Sequence, residues 1–279
     1  MNHNPLGRQT DYVSVYAPQL LFPISRAESR EVLGIGDALP FYGVDIWTGY
    51  ELSWLDAKGK PVVAVAEFFI PCSSEFIAES KSFKLYLNSL NQTRFESAQE
   101  VEALIAKDLS ATTNADVQVK LIPLSGSLQG SSHAAPHLTA IADAYGELLD
   151  ELDVAIDAYH PAPELLATET AVVDESLVSH LLKTNCPVTG QPDWASIVIR
   201  YKGNKIQRES LLRYIISFRE HQDFHEHCVE RIFSDIARVC QPQELTVYAR
   251  YTRRGGLDIN PFRSSNPAAV PELLRLIRQ

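Results

Sequence analysis

Cysteine is scarce in this 279-residue chain, and the four cysteines show none of the spacings of a disulfide framework. A reducing cytoplasm is therefore the expected compartment, in which the cysteines remain thiols. No run of about 18 or more apolar residues occurs, so no membrane-spanning helix is expected. The first residues lack the basic and apolar blocks of a signal peptide.

Basic residues are also few, because 25 Lys and Arg stand against 35 Asp and Glu, a formal net charge of −10. Such a charge disfavours non-specific binding to nucleic acid, so no direct nucleic-acid partner is expected. An acidic protein needs a local basic pocket to bind phosphates. The segment 253–256 (Arg-Arg-Gly-Gly) is a candidate for that pocket.

The familiar nucleotide-binding loops are missing. No G-x-G-x-x-G sequence follows a strand and opens a helix, and the nearest approach, Gly34-Ile35-Gly36, lacks the third glycine. No Walker A loop is present. A doubly wound nucleotide-binding fold is therefore not expected, and a dinucleotide would have to bind in another way.

The most informative segment is 185–194, Asn-Cys-Pro-Val-Thr-Gly-Gln-Pro-Asp-Trp. Its two prolines and glycine predict a tight, rigid turn that holds Cys186. Asp193 follows and opens an apolar stretch typical of a strand. This layout favours a reactive thiol with an acid nearby. The alternative is a cysteine that only packs, since free cysteines are among the most buried residues.

The chain contains an internal repeat with a nearly constant offset. Gly59-Lys60-Pro61 and Gly190-Gln191-Pro192 each precede a predicted strand. Predicted helices follow at 79–89 and 210–219. Three matched pairs within them lie 128 positions apart: Ser82 and Ser210, Tyr86 and Tyr214, Ser89 and Ser217. Such self-similarity indicates a duplicated unit.

A second helix and a further strand are predicted in each half. The segments that begin at Ser97 and Asp223 have the form of a capping box, which starts a helix, and apolar residues at helical spacing follow each. Alternating apolar residues then predict strands at 117–121 and 245–251. The order strand, strand, helix, helix, strand predicts an α+β fold, with an antiparallel sheet backed by two helices in each half.

Two domains are accordingly expected, an N-terminal one at 1–140 and a C-terminal one at 141–279. Turn-rich stretches at 125–137 and 160–163 bracket the boundary between them.

Four potential metal ligands lie within eight residues, namely His221, His225, His227 and Cys228. Two helical histidines four residues apart would suit zinc. The predicted helix begins near Asp223, however, which puts His225 in its first turn. A metal site, a capping or solvated role, and a substrate contact for His225 are all open at this point. Glu226 is interpreted as the third residue of the capping box, where the helix dipole stabilises its charge.

Four motifs occur in a characteristic order along the chain: 79–84 (Glu-Ser-Lys-Ser-Phe-Lys), 185–193, 217–226 (Ser-Phe-Arg-Glu-His-Gln-Asp-Phe-His-Glu) and 250–256 (Arg-Tyr-Thr-Arg-Arg-Gly-Gly). Together they resemble the NADPH-dependent 7-cyano-7-deazaguanine reductases, the nitrile reductases of queuosine biosynthesis. The resemblance covers nearly the whole chain and is to the long, two-module form of the family.

That family has the tunnelling fold (T-fold), in which antiparallel sheets from several modules join and the sites lie at module interfaces. The resemblance therefore implies tandem T-fold modules and, as the simplest assembly, a homodimer. Because the Glu-Ser-Lys-Ser motif lies in the first half and the cysteine, acid and His-Glu motifs lie in the second, the site is expected to combine both halves.

The resemblance further implies a four-electron reduction of the nitrile of 7-cyano-7-deazaguanine to the primary amine 7-aminomethyl-7-deazaguanine, with two NADPH per turnover and no metal. Cys186 would add to the nitrile carbon and form a covalent thioimidate. Asp193 would protonate the nitrile nitrogen, which requires it to hold a proton, and burial beside Trp194 would favour that form. His225 would hold the substrate or help to move protons.

The binding residues are carried over position by position. Carboxylates suit the adjacent N–H and amino groups of the deazapurine. The residues expected to bind the substrate are Glu79, Ser80, His225 and Glu226. The residues expected to bind NADPH are Ser80, Lys81, Arg254 and Gly255.

Two other hypotheses fit parts of the sequence. A zinc-dependent hydrolase like GTP cyclohydrolase I shares the fold and a purine-like substrate, and it would use Cys186 or Cys228 with His225 or His227 as ligands. The other hypothesis is a purine-binding module without catalysis.

Overall fold

The computed structural model describes residues 12–124, 138–139, 146–273 and 275–279. Its helices are α1 (Ala27–Val32), α2 (Ser80–Ser89), α3 (Ala98–Thr113), α4 (Arg208–Ser217) and α5 (His225–Cys240). Its strands are β1 (Pro23–Ser25), β2 (Tyr42–Leu55), β3 (Pro61–Pro71), β4 (Phe76–Ala78), β5 (Gln118–Pro123), β6 (Leu138–Thr139), β7 (Glu147–Leu148), β8 (Thr168–Asn185), β9 (Pro192–Ile206), β10 (Glu244–Tyr251), β11 (Leu257–Ser264) and β12 (Arg275–Leu276). Short 3₁₀ helices lie at Pro18–Leu20, Pro163–Leu165 and Phe218–Glu220.

The chain divides into two compact units. Unit 1 comprises residues 1–28, 45–136 and 253–258, and unit 2 comprises residues 29–44, 137–252 and 259–279. Both units combine helices with antiparallel strands, which confirms the predicted α+β class. The domain limits 1–140 and 141–279 stay a prediction. The stretch 125–137, predicted to form part of the boundary, lies outside the described residues.

Unit 1 is organised around α2 and the strands β5, β3 and β2, which neighbour one another in that order. Strands β3 and β5 pair antiparallel. The ring of Phe83 on α2 packs edge to face against Trp47 of β2 and Phe68 of β3, with centroids 5.5 and 4.8 Å apart. Burial of one such side chain contributes roughly 1.5–3 kcal/mol, so this aromatic cluster fixes α2 on the strands.

Unit 2 has the strand order β11-β10-β9-β8-β7. Strands β8 and β9 form a long antiparallel hairpin whose pairing reaches Asn185↔Pro192 at the turn and is interrupted by a bulge between Ser179 and Leu182. Strand β9 also pairs antiparallel with β10. The predicted apolar face of α5 is confirmed as buried: Val229, Ile232, Phe233 and Ile236.

The duplication extends to individual hydrogen bonds. Ser82 Oγ donates to the carbonyl of Glu79 at 2.6 Å, and the matched Ser210 Oγ donates to the carbonyl of Gln207 at 2.8 Å. Each hydroxyl also accepts a backbone N–H from an earlier segment of its own unit, at 3.0 and 3.1 Å. The matched tyrosines donate to an aspartate on the next helix in both units. The predicted order strand, strand, helix, helix, strand is confirmed in each unit.

Candidate active site

Cys186 is the first residue after β8, at the start of the turn that leads to β9. Its N–H donates to Gln191 O at 2.9 Å and its carbonyl accepts from Gly190 N at 3.0 Å, so the turn closes on Cys186 itself. Gly190 has a φ of +68°, a conformation that glycine adopts without strain. The predicted rigid turn is therefore confirmed, and the Cys186 side chain is buried within it.

The strand end before the turn is held by the segment between α4 and α5. Asn185 N donates to His221 O at 2.8 Å, and Asn185 O accepts from Asp223 N at 3.1 Å. Lys183 Nζ adds a bond to the Asn185 side chain at 2.7 Å. These bonds fix the backbone immediately before Cys186.

Asp193 is the second residue of β9 and pairs with Thr184 of β8. Directly opposed residues of an antiparallel pair lie on the same face, and Thr184 lies two residues before Cys186. All three side chains are buried, as expected for one face of the hairpin. The hairpin thus places Cys186 and Asp193 on the same buried side.

Trp194 does not bury Asp193, contrary to the expectation from sequence. Successive strand residues point to opposite faces, so Trp194 lies on the other side of β9. Its ring is 38% exposed, and the guanidinium of Arg219 lies 5.7 Å from its centroid. The burial of Asp193 has another source, namely the start of α5.

His225 is the first residue of α5 and brings its imidazole against the acid. Nε2 lies 3.3 Å from Asp193 Oδ2, and both side chains are almost entirely buried. The ring stacks on Tyr251 with centroids 3.8 Å apart and planes 8° from parallel. Nδ1 has no hydrogen-bond partner among the described residues. The Asp193 contact and the stack therefore determine how this imidazole sits.

The predicted capping box at Asp223 is wrong. The N-cap residue of α5 is Phe224, which makes no side-chain capping bond. Asp223 Oδ1 instead accepts from Phe224 N at 2.8 Å and lies 3.0 Å from His227 Nδ1. Glu226 is accordingly the second helical residue, and it is buried.

Asp223 is a local anchor for two histidines. His221 Nε2 lies 3.7 Å from its Oδ2, on the other side from His227. Burial opposes ionisation of Asp223, but the nearby His221 imidazole, the hydrogen-bonded His227 and the Phe224 N–H outweigh it and hold its pKa well below the usual value. The acid is therefore a fixed anion that ties the α5 start to the segment before it.

Tyr251 and Cys228 complete the buried surroundings of this cluster. Burial raises the pKa of Tyr251 well above its ordinary value. Burial likewise raises the pKa of the Cys228 thiol. Both groups are held in their neutral forms. The sequence contained Tyr251 within the 250–256 motif but gave no role to it, because only the packing of β10 against α5 brings it to His225.

In unit 1, Glu79 occupies the N-cap of α2 and is completely buried. Its Oε1 accepts from Lys81 N at 2.8 Å and its Oε2 from Ser82 N at 2.7 Å. Ser80 and Lys81 form the first turn of the helix, where the helix dipole favours negative charge. Three residues of the predicted substrate and cofactor sets therefore follow one another at a helix start.

A cavity of about 840 Å³ lies beside α2 in the same unit. Lys81 and Lys84 line it from the helix, and Gly255 and Gly256 line it from the turn between β10 and β11. The two glycines have φ values of +62° and +72°, the pattern of a type I′ turn. The positive φ of Gly256 favours glycine, and a Cβ there would also have to displace the end of the Glu51 side chain.

Arg254 joins this region through its backbone. Lys84 Nζ donates to the Arg254 carbonyl at 3.3 Å, and Arg254 N donates to Leu257 O at 3.0 Å to close the turn. The structure thus brings the predicted cofactor residues Lys81 and Gly255 to one cavity and Arg254 to its edge. Ser80 lies on α2 but does not line this cavity. Lys84 was not singled out from the sequence.

Metal ligation receives no support from the arrangement of side chains. Across residues 12–124, 138–139, 146–273 and 275–279, no three His, Cys, Asp or Glu side chains are grouped so that they could hold an ion. The histidines of the predicted cluster contact Asp193 or Asp223 instead. Within the same described segments, none of the helices has the length and apolarity to cross a membrane.

A buried cysteine on a tight turn, with a buried acid on the same face of the hairpin and an imidazole against that acid, suits an enzyme that uses a thiol nucleophile. Models of one enzyme family match both parts of the chain. The model described as nitrile reductase, 7-cyano-7-deazaguanine-reductase N-term matches residues 12–121. The model described as QueF-like protein matches residues 192–269.

Curated relatives match along almost the full length. The NADPH-dependent 7-cyano-7-deazaguanine reductase of Bordetella avium is 58% identical over 279 residues, covering 99% of this chain and 98% of the relative. The reductase of the same name from Dechloromonas aromatica is 58% identical, covering 99% and 95%. That from Chromobacterium violaceum is 55% identical, covering 99% and 97%. The chain belongs to the NADPH-dependent 7-cyano-7-deazaguanine reductase family.

Proposed function

We propose that this enzyme reduces the nitrile of 7-cyano-7-deazaguanine to the amine of 7-aminomethyl-7-deazaguanine, a step of queuosine biosynthesis. The observation that carries the proposal is the buried Asp193–His225 pair beside the Cys186 turn, in a chain 58% identical to a reductase of that name. Conversion of a nitrile to a neutral amine takes up two hydrides and two protons. Bound NADPH supplies the hydrides, one molecule for each of the two reductions.

Cys186 is the proposed nucleophile. Its thiol loses its proton, which replaces on the Asp193–His225 pair the proton given to the nitrile nitrogen. The sulfur adds to the nitrile carbon, which forms a C–S bond and converts the triple bond into a C=N double bond, giving a covalent thioimidate. This splits a difficult reduction into easier steps, because the sulfur can leave again once the carbon has accepted a hydride. The closed turn around Cys186 supports this role, since it presents the sulfur from a fixed backbone.

Asp193 is the proposed general acid, and His225 is its partner. A proton must reach the nitrile nitrogen as the sulfur adds, and a carboxylic acid on the same face of the hairpin can donate it. His225 Nε2 at 3.3 Å can share or return that proton. The burial of both groups supports the assignment, because it keeps bulk water from competing for the proton.

Glu79 and Glu226, with Ser80 and His225, are the proposed substrate contacts. A carboxylate that accepts one hydrogen bond per oxygen retains lone pairs for a further donor, so helix capping by Glu79 is compatible with binding an N–H. Both glutamates lie at helix starts, where the dipole stabilises their negative charge.

The proposed NADPH contacts are Ser80, Lys81, Arg254 and Gly255. The cavity beside α2 supports them, because its volume lies within the range of small-molecule sites. Lys81 and Lys84 provide the positive charge that a phosphate needs. Gly255 and Gly256 line the cavity with a turn that carries no side chains of its own.

We further propose that the chain folds as tandem T-fold modules, forms a homodimer and works in a reducing compartment. The matching serine hydrogen bonds at the starts of α2 and α4 support duplicated modules. All four cysteines are buried and outside disulfide bonds, which suits a cytoplasmic enzyme with a thiol nucleophile. Light scattering of the purified protein would measure its mass, and a monomer would contradict the homodimer.

One experiment tests the function and the nucleophile together. We expect the wild-type chain to oxidise NADPH when 7-cyano-7-deazaguanine is added, and to gain the mass of the nitrile when NADPH is withheld. The variant Cys186→Ala should lose both the adduct and all turnover. Cys240→Ala, at another buried cysteine of unit 2, is the matched control and should keep both. Absence of NADPH oxidation by the wild type would refute the function, and absence of the adduct alone would refute the covalent mechanism.

A further inference from the structure

The segment 276–279 packs in unit 2 against the strands that hold Asp193 and Tyr251. Leu276 and Gln279 are buried, whereas Ile277 between them is 78% exposed. Gln279 N donates to Leu276 O at 3.0 Å, which closes the segment into a turn. The turn directs Gln279 into unit 2 and leaves Ile277 at the surface.

Gln279 binds the end of β10 with its side-chain amide. Nε2 donates to the Tyr251 carbonyl at 3.0 Å and to Asn260 Oδ1 at 2.7 Å. Oε1 accepts from Leu276 N at 3.4 Å. These groups are buried, so removal of the amide would leave polar atoms without solvent to replace it.

Arg278 binds the two neighbouring strands. Its Nη2 donates to His180 O of β8 at 3.0 Å and to Ala195 O of β9 at 3.1 Å. His180 lies in the bulge of β8, where strand pairing is interrupted. The guanidinium therefore donates hydrogen bonds at the bulge, where the regular backbone pairing of β8 and β9 is interrupted. It links the two strands next to Asp193.

The contacts of Gln279 and Arg278 meet at one residue pair of the sheet. Tyr251 of β10 is paired with Ala195 of β9. The Tyr251 carbonyl accepts from Gln279, and the Ala195 carbonyl accepts from Arg278. The Tyr251 ring stacks on the His225 imidazole. Ala195 lies two residues beyond Asp193, which contacts the same imidazole at 3.3 Å.

We propose that Arg278 and Gln279 are positioning residues for the reduction. They fix the stacking ring and the acid-bearing strand on either side of His225, and so fix the geometry in which the proton is passed to the substrate. The inference rests on the proposed function. His225 depends on these neighbours because its Nδ1 has no partner in the described part of the chain. Misplacement of about 1 Å can cost on the order of 100-fold in rate.

The test is the variant Gln279→Met, which keeps the length of the side chain and removes its amide. Ile277→Met, at the exposed neighbour, is the matched control. The readout is the rate at which the nitrile adds to Cys186 without NADPH, followed by quenching and intact mass. We expect about a 10-fold slower addition for Gln279→Met and no change for Ile277→Met. Affinity for the nitrile, measured by calorimetry with Cys186→Ala added, should change by less than the addition rate does, because the other proposed substrate contacts, Glu79, Ser80 and Glu226, are untouched.

A double-mutant cycle with Tyr251→Leu separates positioning from general loosening. If Gln279 acts through the Tyr251 ring, Gln279→Met should add less than about a twofold effect once that ring is absent. Should Gln279→Met fail to fold, Arg278→Lys takes its place, since it keeps the charge and removes the planar fork. An unchanged addition rate, or a full 10-fold loss in the Tyr251→Leu background, would overturn the positioning role. A wild-type chain that forms no adduct would overturn the covalent mechanism instead.

Discussion

The turn between β2 and β3 in unit 1 and the turn between β8 and β9 in unit 2 close with the same pattern of backbone hydrogen bonds, although the second is one residue longer and carries different side chains. Asp56 and Cys186 each close their turn with both backbone groups, at N···O distances of 2.9 and 2.9 Å in unit 1 and 2.9 and 3.0 Å in unit 2. A glycine with positive φ, Gly59 or Gly190, lies near the end of each turn. Cys186 therefore stands where Asp56 stands.

The strand ends before these turns are also held alike. Leu55 bonds through its backbone to residues 93 and 95, and Asn185 bonds in the same way to residues 221 and 223. Asp56 uses its carboxylate locally, because Oδ1 accepts from the N–H groups of both lysines that follow it. Cys186 is instead buried on the face that carries Asp193. The scaffold is common to both units, so the proposed chemistry depends on the side chains placed on it.

At the starts of the matched helices α2 and α4, it is unit 1 that has the charged side chain. In unit 1 the Glu79 carboxylate caps α2, whereas in unit 2 Gln207 occupies the N-cap of α4 without a side-chain capping bond. Unit 1 therefore has the anion at the helix start and unit 2 has the thiol and acid at the turn. Each unit keeps the same order of elements while carrying different proposed site residues.

The largest effect after loss of the nucleophile is expected from Asp193→Asn. Asparagine preserves the shape and can still contact His225, but it cannot deliver a proton. We expect turnover to fall by about 10²- to 10³-fold while the nitrile still binds. NADPH oxidation measures the rate, and calorimetry measures the affinity. Unchanged turnover would remove Asp193 from the acid role and would leave Cys186 as the one reactive side chain that distinguishes the turn of unit 2 from that of unit 1.

A reciprocal exchange at the helix starts should have an intermediate effect. Glu79→Gln removes the anion from unit 1 and should weaken nitrile binding by about 10- to 100-fold, as expected for hydrogen bonds to a charged group. Gln207→Glu adds an anion to the exposed cap of unit 2. It should raise the free energy of unfolding by about 0.3–1 kcal/mol and leave activity unchanged. Equal nitrile affinity in Glu79→Gln and wild type would remove Glu79 from substrate recognition.

The smallest loss is expected at Asp223, whose counterpart in unit 1 is the buried Phe95. Burial is outweighed by the nearby His221 imidazole and the hydrogen-bonded His227, which lower the pKa of Asp223 in the folded protein. The Asp223 carboxylate therefore contributes its full stabilisation of the folded chain at pH values above its pKa in the unfolded chain, about 4. That contribution is lost as the pH falls towards the lower pKa in the folded chain, because the unfolded chain takes up the proton first. Asp223→Asn should lower the free energy of unfolding by about 1–2 kcal/mol at about pH 5, and by less at about pH 3.

Urea unfolding of Asp223→Asn and wild type at both pH values measures that difference. A deficit that stays constant between them would contradict the anionic anchor. It would mean that Asp223 serves unit 2 by shape alone, as Phe95 serves unit 1.

Local patterns in the sequence predicted much of the fold and the centre of the candidate site. The prolines and glycine around Cys186 predicted its turn, and periodicity predicted α2 to α5 because both effects act within a few residues. Ser97 is confirmed as the N-cap of α3, since Glu100 N donates to Ser97 Oγ at 3.2 Å, while the Glu100 carboxylate accepts from Glu96 N at 2.9 Å in place of the Ser97 N–H of a full capping box. The same pattern at Asp223 was misleading, because two histidines compete for that carboxylate in the folded chain.

The sequence by itself determined the duplicated order of elements, the rigid turn that holds Cys186 and the entry of Asp193 into a strand. Each depends on backbone preferences and on apolar periodicity within one segment. Only the tertiary structure decided that Tyr251 stacks on His225, that Trp194 faces away from Asp193 and that Gln279 holds the Tyr251 carbonyl. The two contacts of Tyr251 join residues more than about two dozen positions apart, and which face of a strand is buried depends on the partners packed against it. No local spacing specifies such contacts, because they arise when separate strands and helices pack together.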